Sequence, residues 1–138
     1  PGPVHNEEVS IEKGLAQYGL RAQAICRSRV EGLSVSGAMQ VGIEFDGWIN
    51  YIVGNNVGHN SIGIAAGQGS EANAVVIRDN NLEVNMLAGI VIGNGNQILI
   101  EGNEIEGTGG PALVSWGNIN TISIVNNYYV VIASYCRH

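Results

Sequence analysis

The stretch Gly89-Ile90-Val91-Ile92-Gly93-Asn94-Gly95-Asn96-Gln97-Ile98-Leu99-Ile100-Glu101-Gly102-Asn103-Glu104-Ile105 decides the fold. It sets three short apolar runs between glycine and asparagine corners, and the pattern recurs along the chain. Gly89-Ile90-Val91-Ile92 aligns with Gly42-Ile43-Glu44-Phe45 and Gly63-Ile64-Ala65-Ala66, and Gly19-Leu20-Arg21-Ala22 and Ala112-Leu113-Val114-Ser115 join that column. The second run aligns with Tyr51-Ile52-Val53, Val75-Val76-Ile77 and Ile122-Ser123-Ile124. Three residues after each second run stands an asparagine: Asn56, Asn80, Asn103 and Asn127, spaced 24, 23 and 24 apart, with Leu33 in that column one step earlier. Five turns therefore run from about residue 19 to residue 130.

Strand alternation assigns the faces. In the first strand the inward pairs are Ile43/Phe45, Ile64/Ala66, Ile90/Ile92 and Leu113/Ser115. In the second they are Tyr51/Val53, Val75/Ile77, Ile98/Ile100 and Ile122/Ile124, and in the third Val35, Leu82, Ile105 and Tyr129 face inward. Short strands in this register cannot pair as hairpins. Stacked parallel coils satisfy them, because equivalent strands lie about 4.8 Å apart and one apolar column fills the interior. Asparagine at a fixed corner then stacks as an amide ladder. The expected fold is all-β, a single right-handed parallel β-helix of about five coils of about 23 residues, the hand following the rule for parallel crossovers.

Composition agrees and excludes much else. The chain has 138 residues, with 45% hydrophobic, 13% charged, 20 glycines and a net charge of -6, a profile of a folded single domain and not of a disordered chain. Six basic residues exclude a nucleic-acid-binding face or a polybasic membrane surface. No apolar run approaches a transmembrane length, so no membrane insertion is expected. Cys26 and Cys136 fall in the first and last coils, roughly 20 Å apart and beyond disulfide reach.

The Gly-Ile strand starts and the Asn56/Asn80/Asn103/Asn127 column resemble the pectate-lyase-like right-handed parallel β-helix superfamily. The resemblance spans most of the chain and implies a polysaccharide lyase, glycoside hydrolase, epimerase or phage tailspike. It also implies an extracellular, cell-surface or virion-associated location. Motifs for activity are missing: the Asn-Thr-Asp, Asp-Asp and Arg-Ile-Lys signatures of polygalacturonases and the Asp-Pro-His-Glu signature of alginate epimerases do not occur. Gly58-His59-Asn60 resembles the hydrolases' Gly-His-Gly segment only loosely, and Lys13 is the only lysine available as a lyase base.

Outward columns carry the candidate chemistry. Glu44 and Asp46 point the same way on one strand, about 6.6 Å apart at the backbone, a spacing at which two carboxylates can act as general acid and base on a glycosidic bond. They are the candidate catalytic pair. The competing reading pairs Glu44 with Arg21 one coil below and has Asp46 open a turn. Arg21, Trp48 and Trp116 are candidate substrate-binding residues, the indoles as platforms for sugar rings. Glu83 and Glu106 stack as like charges, where a bridging Ca2+ is possible, although a solvated face serves as well. His59 beside Glu83, and Arg78 beside Glu101, read as surface ion pairs.

An outward apolar patch of Ile52, Val76 and Leu99 on the second sheet, with Val91 and Val114 on the first, calls for a cover. A homotrimer packed side by side is the expected one. Residues 1–18 read as an N-terminal arm or cap, and 19–138 as the β-helix domain, with one more strand over Val130 to Tyr135. No C-terminal cap is visible, which implies a fragment of a longer protein or an end buried against a partner. The functional expectation is a polysaccharide-acting or polysaccharide-binding module. The alternative is a structural segment of a trimeric tailspike or surface protein, without catalysis of its own.

Overall fold

The computed structural model describes residues 8–10 and 16–130. Among them every regular element is a strand, and every strand pairing is parallel. The chain is a parallel β-solenoid of five three-strand turns. Strand β1 (Glu8–Ser10) lies against the first turn. The turns run β2 (Tyr18–Cys26), β3 (Arg29–Glu31), β4 (Ser34–Ser36); then β5 (Val41–Trp48), β6 (Tyr51–Val53), β7 (Asn56–Gly58); then β8 (Ile62–Ala66), β9 (Ala72–Arg78), β10 (Asn81–Glu83). They continue with β11 (Ala88–Ile92), β12 (Gly95–Glu101), β13 (Glu104–Glu106) and close with β14 (Leu113–Ser115), β15 (Ile122–Val125), β16 (Tyr128–Val130). The first sheet stacks β2, β5, β8, β11 and β14; the second stacks β3, β6, β9, β12 and β15; the third runs from β1 through β4, β7, β10 and β13 to β16.

One apolar column fills the interior, with Ile43, Ile64 and Ile90 from the first sheet, Ile77 and Ile100 from the second, and Val35, Leu82 and Ile105 from the third. A glycine column makes this cross-section possible. At Gly63 an added Cβ would sit 2.6 Å from the Gly89 carbonyl oxygen and 2.7 Å from Leu82 Cδ2; at Gly42 and Gly89 it would likewise meet the third-sheet side chain and the next coil's backbone. Only glycine lets the third sheet pack this close to the start of the first.

Asparagines fasten the coils together at the corner between the second and third sheets. Leu33 N–H donates to Asn55 Oδ1 (2.9 Å), and Asn55 N–H and Nδ2 both donate to Asn80 Oδ1 (3.0 and 2.9 Å). Asn80 repeats this to Asn103, and Asn103 to Asn127. Each Nδ2 also reaches a carbonyl of the preceding coil: Val30, Ile52, Ile77 and Ile100 in turn.

The ladder residue of the second turn is therefore Asn55, and expecting Asn56 there was wrong by one position. Asn56 faces solvent and accepts from Asn81 Nδ2 (3.3 Å). The same slip affects the strand before it: Ile52 is in register with Ile77 and fully buried, while Tyr51 is exposed. A slip of one residue exchanges the two faces of a strand, so Ile52 belongs to the core and drops out of the expected oligomer surface.

A second ladder occupies the corner between third and first sheets. Ala38 N–H donates to Asn60 Oδ1, Asn60 N–H to Asn85 Oδ1, and Asn85 Nδ2 to the Val57 carbonyl. Periodicity at one corner had concealed this second corner. A smaller version at the remaining corner has Ser28 N–H donating to Asn50 Oδ1.

Val91 is a further correction to the expected oligomer surface. It is 7% exposed and packs with Val41, Ala65 and Ala88 in a second apolar cluster outside the first sheet. Gly42 and Gly89 face the third sheet, and the residues before them, Val41 and Ala88, pack on the outer side with Val91. Val114, packed against that cluster, and Val76 and Leu99 on the second sheet are half-buried. Within the expected N-terminal arm, β1 is a strand in register with β4; the rest of that arm before Ala16, the expected strand beyond Val130, and Cys136 lie outside the described residues.

Candidate functional site

The first sheet presents the candidate site. Glu44 on β5 is in register with Arg21 on β2, and Arg21 Nε donates to Glu44 Oε2 at 2.8 Å. Arg21's guanidinium lies 4.4 Å from the centroid of the Tyr18 ring. Tyr18's hydroxyl in turn donates to Gln40 Oε1 at 2.9 Å. A continuous polar chain thus runs Gln40–Tyr18–Arg21–Glu44 across the first two coils. Glu44 is largely buried, with its side chain 10% exposed against 44% for Arg21, so the ion pair is partly screened at one end only.

Asp46 points to a different task. It is 4% exposed and its Oδ1 accepts the backbone N–H of Ala24. Ala24 has a φ of 55° inside the register shift between Ala22 and Ile25, where β2 bulges against β5. A bulge leaves a donor unpaired in the ladder, and Asp46 satisfies it. Both carboxylates of the candidate pair thus hold the preceding coil, Glu44 through a side chain and Asp46 through the backbone.

A cavity of about 320 Å³ opens beside Glu44. Gln40, Ser61 and Gln68 line it with Glu44, together with Met39, Val41, Ile62, Ala65 and Leu87. Sequence reasoning missed Gln40 and Gln68, which lie in corners outside any strand, where no periodicity marks a residue. Tyr18 was assigned to the arm when it opens β2.

No family model, curated protein or solved structure matches the chain. The solenoid's site therefore rests on its own geometry.

The two indoles do not converge. Trp48 ends β5, the strand that carries Glu44, and is 52% exposed. Trp116 follows β14 three turns further on, roughly 14 Å along the stack, and is 60% exposed. Glu83 and Glu106 stand in register on adjacent coils, and among the described residues no group of three or more His, Cys, Asp or Glu is arranged to hold a metal ion. Arg78 and Glu101 pair at 3.8 Å, as expected. The expected ion pair of His59 with Glu83 is not formed. His59 has a φ of 58° at the corner after β7, and it lines a shallow cavity together with Glu83 without an ion pair between them. Cys26 is an exposed free thiol.

Proposed function

We propose that the chain is a polysaccharide-binding β-helix module of pectate-lyase-like type, which holds a neutral glycan against the outer face of its first sheet. The observation that carries this reading is the cavity beside Glu44, lined by two amides, a hydroxyl and a carboxylate together with apolar side chains. A sugar ring has the matching character, with C–H faces for the apolar side chains and hydroxyl edges for the polar ones. A net charge of -6 disfavours polyanionic glycans. Binding is favoured over cleavage because Glu44 is held by Arg21 and Asp46 by the Ala24 N–H, whereas acid–base catalysis needs carboxylates directed at the scissile bond.

The test is a titration with neutral and acidic oligosaccharides, read by the side-chain amide resonances of Gln40 and Gln68. Neutral glycans shift both, and Gln68→Ala weakens binding about tenfold, the worth of one net hydrogen bond. No shift with any glycan, in folded protein, overturns the reading. New reducing ends or unsaturated products would restore Glu44 and Asp46 as acid and base.

A second reading, a structural segment that assembles as a homotrimer, is favoured by the outer column of the second sheet. Tyr51, Val76 and Leu99 stand there in register, an apolar strip that side-by-side packing would cover.

A further inference from the structure

Next to the first-sheet site, the corner between the third and first sheets holds an open cavity of about 550 Å³. The chain has two methionines, and Met39 and Met86 both line this cavity together with His59. Both methionines are unusually open for apolar side chains, at 50% and 62% exposure.

Their backbone is held in place. Met86 N–H donates to the Asn60 carbonyl, Ser61 N–H donates to the Ala38 carbonyl, and Ser61 Oγ donates to the Met39 carbonyl. Met39, Ser61 and Met86 are therefore one column on successive coils, and the two methionines stand about 9.6 Å apart at the backbone, two coil steps. His59 belongs to the middle coil, two residues before Ser61, and is fixed by its N–H to the Glu83 carbonyl and by Gly37 N–H to its own carbonyl. Its imidazole makes no hydrogen bond or ion pair with any described residue. One imidazole and two thioethers thus line one cavity, each thioether on a chain of three rotatable bonds that lets the sulfur swing toward the middle coil.

Thioether sulfur is a soft ligand that selects Cu(I), and imidazole suits copper equally well. No carboxylate lines the cavity, and its oxygen groups are the hydroxyls of Ser36 and Ser61 and the Asn60 amide, of which Ser61 Oγ already donates to the Met39 carbonyl and Asn60 Oδ1 accepts from the Ala38 N–H. We propose that Met39, His59 and Met86 form a three-coordinate site for a soft monovalent cation, Cu(I) in nature. The step is coordination alone, with no change of oxidation state; Met39 and Ser61 also line the cavity beside Glu44, so the two sites adjoin.

The test uses the full chain carrying Cys26→Ser and Cys136→Ser, which removes the competing thiols, labelled at the methionine methyl carbons and titrated with silver nitrate as a redox-inert stand-in. The expected result is that both methyl resonances and the His59 ring protons move together and saturate at one equivalent. Met86→Leu, close in volume and unable to ligate, should weaken binding by about tenfold or more, with the amide spectrum showing the fold intact. His59→Ala should do the same. Unmoved methyl resonances, independent shifts that fail to saturate together, or undiminished binding in Met86→Leu would each overturn the proposal.

Discussion

Asn80 shows how much a single buried amide carries. Its Oδ1 accepts two bonds from Asn55 and its Nδ2 donates to the Ile52 carbonyl, at 1% exposure. Replacing it by alanine strands buried donors and an acceptor, each costing about 1–3 kcal/mol. Asn80→Ala is therefore expected to lose roughly 3 kcal/mol or more in chemical denaturation. Asn56→Ala, on the solvent side of the same strand column, should change stability by less than about 0.5 kcal/mol. The contrast separates the true ladder from its neighbour. The sequence holds Asn55 and Asn56 side by side, and a constant interval selects the wrong one because the ladder is spaced 25, 23 and 24. What holds constant is the step from the inward residue of the second strand, Ile52, Ile77 or Ile100, to its asparagine three residues later.

At the scale of the element, the first sheet was the most legible part and its corners the least. Ile43, Phe45, Ile64, Ile90 and Ile92 are buried where alternation put them, because burial against one core enforces a two-residue period. The passage from the first sheet to the second obeys no period: β2 bulges at Ala24, and five residues separate β8 from β9. Gln68 lies in that last corner, so the cavity it lines could not be seen from spacing. The glycine column yields a test belonging to this scale. Gly63→Ala drives a Cβ into the Gly89 carbonyl and Leu82, and a rigid backbone obstacle on one side should cost about 1–3 kcal/mol. Gly54, at a φ of 66° with nothing within 4 Å of an added Cβ, should lose only about 1–2 kcal/mol on change to alanine, from backbone conformation alone. Paired urea titrations distinguish packing from strain.

For the whole molecule the question is which faces remain free. Leu99 and Ile52 once stood in the same expected patch, yet Ile52 is fully buried and Leu99 only partly. Leu99→Glu should leave the far-ultraviolet spectrum intact, and, if the strip of Tyr51, Val76 and Leu99 joins subunits, it should reduce the sedimenting mass to that of a monomer. Ile52→Glu should unfold the chain, since an unpaired charge in the core costs several kcal/mol. A wild type that sediments as a monomer removes the trimeric reading.

The amide ladder also has a direction. In the main ladder each Asn oxygen and one amide bond reach the preceding coil: Asn127 to Asn103 and Ile100, Asn103 to Asn80 and Ile77, Asn80 to Asn55 and Ile52. Each finished turn thus offers waiting donors and a waiting carbonyl that only its successor can occupy. A turn that lost its asparagine would therefore leave the amides and the carbonyl of the turn beneath it buried without partners, so the satisfaction of each turn is supplied by the next.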